Sequence, residues 1–355
     1  MMHSFVDLDL TFGSQPRQLG ARLSRIDVGR GREAMYRDQL PQLLERLAGT
    51  TRVESITASN AIEGVVVEPH RLAGLARPGR PSIRFRNRSE REFAGYRDAT
   101  DEIMKEDPLE TLNVPYVLHL HRLLFAHTDT PGGYLKHHQN QIVDLTDGSR
   151  KVLFTPPSPK QTEFMLPDLI ARYRDATVAG AAHPLVLVGA LILDFLAIHP
   201  VSDGNGRTAR LITTHELLAT GYGISRYVSI ELRMLATKDA YYDALYASQR
   251  GWHEAQHDIW HWMDYLVSVL EDAYDDFEAR VAARRGLASL SKQEQVRRYV
   301  LEHGSAVFRA SNVRDALPGV SGPTVTMVLG AMKGEGLIEL VPGSNRGPAA
   351  TWRRR

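Results

Sequence analysis

The chain has 355 residues, 43% hydrophobic and 24% charged, a composition that excludes wholesale disorder and a length that allows two or three domains with real cores. Its formal charge of +1 gives no global reason to expect nucleic acid. Cysteine is absent, which excludes disulfides, thiolate metal sites and a cysteine nucleophile, and fits a reducing compartment. The start, Met1-Met2-His3-Ser4-Phe5, lacks the basic and apolar regions of a signal peptide. The most apolar stretch, Pro184 to Ile198, is too short to span a bilayer and carries Asp194, so it reads as a buried core helix. The expectation is a cytoplasmic protein that does not engage membranes.

In chain order, the first 45 or so residues mix Gly, Arg and Pro with little periodicity and read as a surface wrap. Arg52 to Glu63 has helical composition, with Val53, Ile56 and Ile62 on one face and Gly64 where a helix C-terminus favours glycine. Ser89 to Lys105, Pro115 to Ala126 and Glu163 to Ala176 are amphipathic by their i, i+3, i+4 spacing. Between the last two, Gln141 to Phe154 places short apolar runs either side of Asp147-Gly148, a hairpin signal. The core helix ends near Ile198, and further helices are expected over Arg207 to Ala219, Lys238 to Gln249 and His253 to about Arg285. No strand-helix alternation points to a parallel sheet. The last 65 residues change character: helices over Lys292 to His303, Ser311 to Leu317 and Ser321 to Lys333, then strands over Leu337 to Val341 and Ala349 to Trp352, make a winged helix-turn-helix. Residues 287–355 hold ten Lys/Arg against five Asp/Glu, a net of +5 that leaves −4 for the rest.

The segment from His199 to Arg210 concentrates the chemistry. Gly204-Asn205-Gly206 lies between a buried helix and the start of the next, where glycines let successive N–H groups turn inward and a helix N-terminus adds donors and a favourable dipole. Such a loop cradles phosphate. Arg207 and Arg210, three apart on the first turn, project from one face and can grip further phosphate oxygens. Asp203 supplies one carboxylate beside the nest, and a nucleotide-bound Mg²⁺ typically takes one or two carboxylates with phosphate oxygens and water. His199, with a pKa near neutrality, can accept the proton of an attacking hydroxyl. The plainer account, a helix-capping Asp203 with turn glycines and solvated arginines, suffices for any two of these features but not for all of them within twelve residues.

The segment His199-Pro200-Val201-Ser202-Asp203-Gly204-Asn205-Gly206-Arg207, with Arg210 beyond it, closely resembles the signature of the Fic family, His-Pro-Phe-x-(Asp/Glu)-Gly-Asn-Gly-Arg-x-x-Arg, with Val201 in place of Phe. The resemblance implies His199 as general base, Asp203 as Mg²⁺ ligand, Gly204, Asn205 and Gly206 as the anion nest, and Arg207 and Arg210 as β- and γ-phosphate contacts. Val201 would be a core position. Gly206, where kinase-like relatives carry Lys, favours nucleotidyl transfer: AMP moves from ATP to a protein Tyr, Ser or Thr hydroxyl and pyrophosphate leaves. Fic proteins also carry a β-hairpin flap that holds the target by strand pairing, and Lys151, Val152, Leu153 and Phe154 fit it. Tyr241 and Tyr242 stand where relatives often place aromatics near the adenine pocket, although a packed helix explains them as well.

Ser59-Asn60-Ala61-Ile62-Glu63-Gly64 resembles the family's inhibitory motif, (Ser/Thr)-x-x-x-Glu-(Gly/Asn). By that resemblance Glu63 pairs with Arg210, displaces the γ-phosphate and leaves ATP badly aligned. In some relatives the same glutamate positions water for removal of AMP. The target protein is not legible: it is another protein or the chain itself, and Fic cores often dimerise.

Two rival signals remain. His253-Glu254-Ala255-Gln256-His257 reads as His-Glu-x-x-His, which on a helix would set two imidazoles on one face for zinc, with His261 continuing that face and Glu271 or Glu278 as third ligand. The surrounding Trp252, Trp260 and Trp262 favour a packed helix instead. His119, His121, His127, His137 and His138 show no convincing ligand spacing. The C-terminal module could bind DNA, with Ser321 to Lys333 as recognition helix and Arg346 on the wing, making the chain a transcription regulator. That helix is mostly Thr, Val, Met, Leu, Gly and Ala, with little to read bases. The expected architecture is therefore mainly α: an N-terminal region over 1–110 with an inhibitory helix at about 52–64, a helical Fic core over 111–286 with a small β-hairpin flap, and a winged helix-turn-helix over 287–355.

Overall fold

The computed structural model describes residues 3–77, 84–105, 109–144, 150–288, 290–317, 319–342, 344 and 350–355. Contacts divide the chain into two units, residues 1–276 and 277–355. The first opens with α1 (Leu8–Phe12), α2 (Arg17–Gln39), α3 (Pro41–Ile62), α4 (Pro69–Leu75), α5 (Arg88–Lys105) and α6 (Val114–Leu124). Strands β1 (Ile142–Asp144) and β2 (Lys151–Phe154) follow, then α7 (Pro159–Ala179), α8 (Pro184–Ile198), α9 (Asn205–Ala219), α10 (Ile230–Ala236) and α11 (Lys238–Gln249). The division falls inside α12 (Trp260–Ala288).

The expected surface wrap at the N-terminus is instead mostly helix. In α2 the buried residues Leu19, Leu23, Ile26, Gly29, Glu33 and Tyr36 recur at helical spacing, but two of the six are a glycine and a glutamate, so apolar periodicity fades. Gly29 is needed because a Cβ there would overlap the Tyr274 ring, and Glu33 Oε2 accepts from the Tyr274 hydroxyl at 3.1 Å. Helix α3 starts eleven residues before the expected Arg52, and its buried face includes Thr51, Ser55, Ser59 and Asn60. Between Pro41 and Thr51 only Leu44 and Thr51 are buried, too few to mark an apolar stripe.

Helix α8 has the predicted bounds. Every residue from Leu185 to Ile198 is buried, so it is apolar on all sides and forms the centre on which α7 and α9 pack. Asp194 interrupts it and is fully buried, its oxygens accepting from Ser4 N at 2.9 Å and Trp252 Nε1 at 2.8 Å. Helices α5 and α6 approach at Gly95, where any Cβ would overlap the Leu124 carbonyl. That backbone contact places α5, and Glu92 on it, beside the start of α9.

In the second unit, α13 (Lys292–Arg298) runs on through a π turn to His303, followed by β3 (Val307–Arg309), α14 (Ala310–Ala316), α15 (Gly322–Gly334), β4 (Ile338–Leu340) and β5 (Thr351–Arg354). The strands pair antiparallel in the order β3-β5-β4. Val296, Val300, Phe308, Val313, Leu317, Val325, Leu329, Met332 and Ile338 pack as one core. β3 is absent from the sequence expectation because three residues are too few to show a period. Arg346 lies outside the described residues.

Candidate active site

The site begins where α8 stops. His199 takes the left-handed conformation, φ 51°, as the C-cap of that helix, and its N–H donates to Phe195 O. It is one of two non-glycine residues with positive φ among the described residues, the kind of backbone strain that clusters at functional sites. Its Nδ1 lies 3.2 Å from Leu196 O. A carbonyl only accepts, so Nδ1 carries the proton and Nε2 keeps its lone pair. Burial pushes the His199 pKa down to about 4, well below the neutral value expected from the sequence, so the ring is an uncharged base at neutral pH.

The following loop is held by its own asparagine and by three side chains from earlier in the chain. Asn205 Oδ1 accepts from Val201 N at 3.0 Å, and its Nδ2 donates to Val201 O at 2.7 Å. Thus the Asn205 side chain is a strut across the loop. Val201 is fully buried. Lys136 Nζ donates to Ile198 O at 2.9 Å and to Asn140 Oδ1 at 3.1 Å, while its backbone N–H meets Pro200 O. Burial pushes the Lys136 pKa down to about 8. Asn140 Nδ2 reaches His199 O at 3.3 Å and Val201 O at 3.2 Å. His121 accepts from Gly133 N at Nδ1 and so donates from Nε2 to Asp203 O, at 3.0 Å. Lys136 and Asn140 were missed in the sequence, where they stand alone, and His121 entered only as one of five histidines with no convincing ligand spacing.

Gly204, φ 80°, is the N-cap of α9, and a Cβ there would crowd Leu124 and Phe125. The first intrahelical bond of α9 is Thr208 N to Gly204 O, so the N–H groups of Asn205, Gly206 and Arg207 have no partner within the helix. Asp203 Oδ1 accepts from Gly204 N at 2.7 Å, and its carboxylate remains half exposed. Among the described residues no group of three or more His, Cys, Asp or Glu could hold a metal by itself. One exposed carboxylate next to an anion nest suits an ion that arrives with phosphates, Mg²⁺ among them.

Ser59 on α3 and Glu63 at its C-cap meet this turn. Gly64, φ 76°, and Val65 close the helix by donating to Ala61 O and Asn60 O. Lys238 Nζ also donates to Ile62 O at 2.7 Å. So fixed, Glu63 Oε1 accepts from Arg210 Nη2 at 2.8 Å, and Ser59 accepts from the same guanidinium through Oγ, at 2.8 Å, and its carbonyl, at 3.0 Å. The Glu63 carboxylate lies so close over Gly206 that a Cβ at that position would overlap Oε1. Burial opposes its ionisation, but Arg210, with Arg207 and Lys238 further away, holds the Glu63 carboxyl below the ordinary range. Arg207 Nη1 donates to Glu92 Oε2 at 2.5 Å on the buried side of the turn.

Tyr241 is buried among Tyr242, Trp262 and Tyr265, whereas Tyr242 is 42% exposed with Lys238 Nζ 5.9 Å from its ring centre. The hairpin pairs antiparallel, with Val143 opposite Val152 and Asp144 opposite Lys151, and β1 starts two residues after Asn140. Lys151 and Val152 are exposed, Leu153 and Phe154 partly covered, and the turn at 145–149 lies outside the described residues. Phe154 stacks on His253 with centroids 5.0 Å apart, and His253 Nε2 donates to Thr155 O at 2.9 Å. The zinc reading loses its premise here. Residues 252–254 are one 3₁₀ turn, Ala255 is left-handed, and α12 starts only at Trp260, so His253 and His257 do not share a helical face.

Residues 111–217 match the model of the Fic/DOC family. No curated protein matches the chain. Among solved structures, a Fic family protein from Desulfovibrio desulfuricans G20 superposes with a TM-score of 0.61 at 20% identity, covering 96% of this chain and 97% of that one. A Fic domain containing signaling protein from Bacteroides thetaiotaomicron VPI-5482 gives 0.55 at 21% identity, over 73% and 94% of the two chains. Fic-1 (residues 134–508) from C. elegans gives 0.59 at 18% identity, over 76% and 73%.

Proposed function

Since residues 111–217 are a Fic/DOC family domain, we propose that this protein is an autoinhibited protein adenylyltransferase, moving AMP from ATP to a Tyr, Ser or Thr hydroxyl of another protein or of itself. Fic domain proteins generally transfer nucleoside monophosphates to proteins. The finer assignment rests on the residues. With Nδ1 donating to Leu196 O, His199 offers Nε2 to the attacking hydroxyl and takes its proton. A bond forms between that oxygen and the α-phosphorus, the bond to the β-phosphate oxygen breaks, and pyrophosphate leaves. The first turn of α9 and the two arginines hold the phosphates, so the rate comes from placement and charge. Asp203 is the residue that would hold Mg²⁺, which neutralises charge on the phosphates when bound. The exposed strand residues Lys151 and Val152 offer an edge for the target segment.

The observation that carries the regulatory half is the Glu63 carboxylate above Gly206 with Arg210 bound to it at 2.8 Å. A carboxylate there takes the cation and the space that a terminal phosphate needs. Glu63→Gly should raise self-labelling by α-³²P-ATP with Mg²⁺ by about tenfold or more, an effect of one charge-assisted hydrogen bond. His199→Ala should abolish labelling in either background. Equal labelling by wild type and Glu63→Gly would remove the brake, and labelling that survives His199→Ala would remove the base. Phosphates are read by this site more plainly than the base, so the same assay run with UTP, GTP and CTP tests the choice of ATP. Release of AMP from labelled protein by the wild type, but not by Glu63→Gly, would give Glu63 a second role in de-AMPylation.

A further inference from the structure

Each arginine of the phosphate turn is held by a carboxylate, and the two carboxylates stand in different places. The Glu63 side chain is 32% exposed and lies over Gly206 in the first turn of α9. The Glu92 side chain is only 5% exposed and meets Arg207 from α5. Its second oxygen accepts from Arg88 Nε at 2.5 Å, and Arg88 Nη2 lies 3.6 Å from Asp203 Oδ2. Arg207 itself is 3% exposed, with the Phe125 ring centre 5.4 Å from its guanidinium carbon.

The pattern of used and unused N–H groups on Arg207 decides what Glu92 does. Glu92 takes Nη1. Nε is buried with no hydrogen-bond partner among the described residues, and Nη2 approaches only Asp203, at 4.0 Å. Nε and Nη2 share one edge of the guanidinium, the edge that binds a phosphate with two parallel hydrogen bonds. A buried donor without a partner is expensive, so the unpartnered Nε at the first turn of α9 is suited to an anionic acceptor. Without Glu92 the buried guanidinium would lose its hydrogen-bonded carboxylate, keeping only the longer approach to Asp203 at 4.0 Å, and would be free to rotate that edge away.

We propose that Glu92 is a positioning residue for the nucleotide, fixing Arg207 by Nη1 so that its Nε–Nη2 edge faces the phosphates, with Arg88 holding the other Glu92 oxygen. This rests on the adenylyltransferase reading above. Two carboxylates thus act on one arginine pair with opposite sign: Glu63 competes with the phosphate, and Glu92 prepares for it.

The test is a double-mutant cycle on ATP affinity, measured by titration calorimetry in the Glu63→Gly background. Glu92→Gln keeps the shape and removes the charge, and should weaken ATP binding by about tenfold. With Arg207→Ala also present, Glu92→Gln should change nothing further. Should Glu92→Gln fail to fold, Arg88→Gln is read in the same cycle and should weaken binding by about threefold, again only while Arg207 is present. Unchanged or tighter binding in these variants would overturn the proposal, as would an equal loss with and without Arg207, which would mark a general packing role. If Glu63→Gly alone binds no ATP, the underlying reading fails and this assignment falls with it.

Discussion

At the scale of single residues, most polar groups of the site have one assignment each. His199 is the clearest case: its Nδ1 proton is committed to Leu196 O, and burial lowers its pKa from 6.5 to about 4. The sign follows from that direction. A histidine whose folded pKa is depressed contributes stability that is complete above the unfolded value and is lost as pH falls through the folded one. An NMR titration of the His199 ring protons should therefore show a midpoint near 4, with the neutral form intact at pH 6. A midpoint above about 6 would mean that solvent reaches the ring and that the base is an ordinary surface histidine. The residues of this turn were legible in the sequence because glycines, arginines, Asp203 and His199 fall within one short segment. Lys136, Asn140 and His121 were not, since each acts on a backbone carbonyl some 60 to 80 residues away. No spacing encodes that distance.

At the scale of elements, apolar period predicted α8 and α11 to the residue and α5 to within one, because their faces follow apolar order or are apolar throughout. It failed on α2, where the buried face includes Gly29 and Glu33, and on the first half of α3, where only Leu44 and Thr51 are buried. It also failed on residues 253–257, where a motif with helical spacing sits on a 3₁₀ turn and a left-handed residue. The reason there is a loop role: His253 caps the strand end at Thr155, and Trp252 reaches back to Asp194 in the middle of α8. Burial raises Asp194 to about 7, and the Trp252 and Ser4 donors pull it back toward ionisation. Removing the indole donor with Trp252→Phe should cost about 1–3 kcal/mol of stability in denaturant melts. A group whose folded pKa is raised loses stability as pH rises through that value, and this variant raises it further. The deficit should thus be larger at about pH 8 than at about pH 5. Equal deficits at both would show that Trp252 acts by packing alone.

At the scale of the whole molecule, the uneven charge remains to be explained: residues 287–355 carry +5 and the remainder −4. Phosphate recognition by a helix needs cations on its exposed face. On α15 the exposed residues are Pro323, Thr326, Met327, Gly330, Ala331, Lys333 and Gly334, with a single cation at the C-terminal end. Three other basic residues of the unit are paired, Arg297 with Glu335 at 2.8 Å, Arg298 with Glu302 at 2.8 Å and Arg355 with Glu339 at 2.7 Å. A face of small and apolar side chains with Met327 54% exposed suits a protein surface better than a major groove. The full chain should consequently retard duplex DNA weakly, with little dependence on salt, because few counterions are released. A mobility-shift series between about 50 and 200 mM salt checks this. A steep loss of affinity across that range, equivalent to several phosphate contacts, would instead make the C-terminal unit a DNA-binding module and add a transcriptional role to the proposed activity.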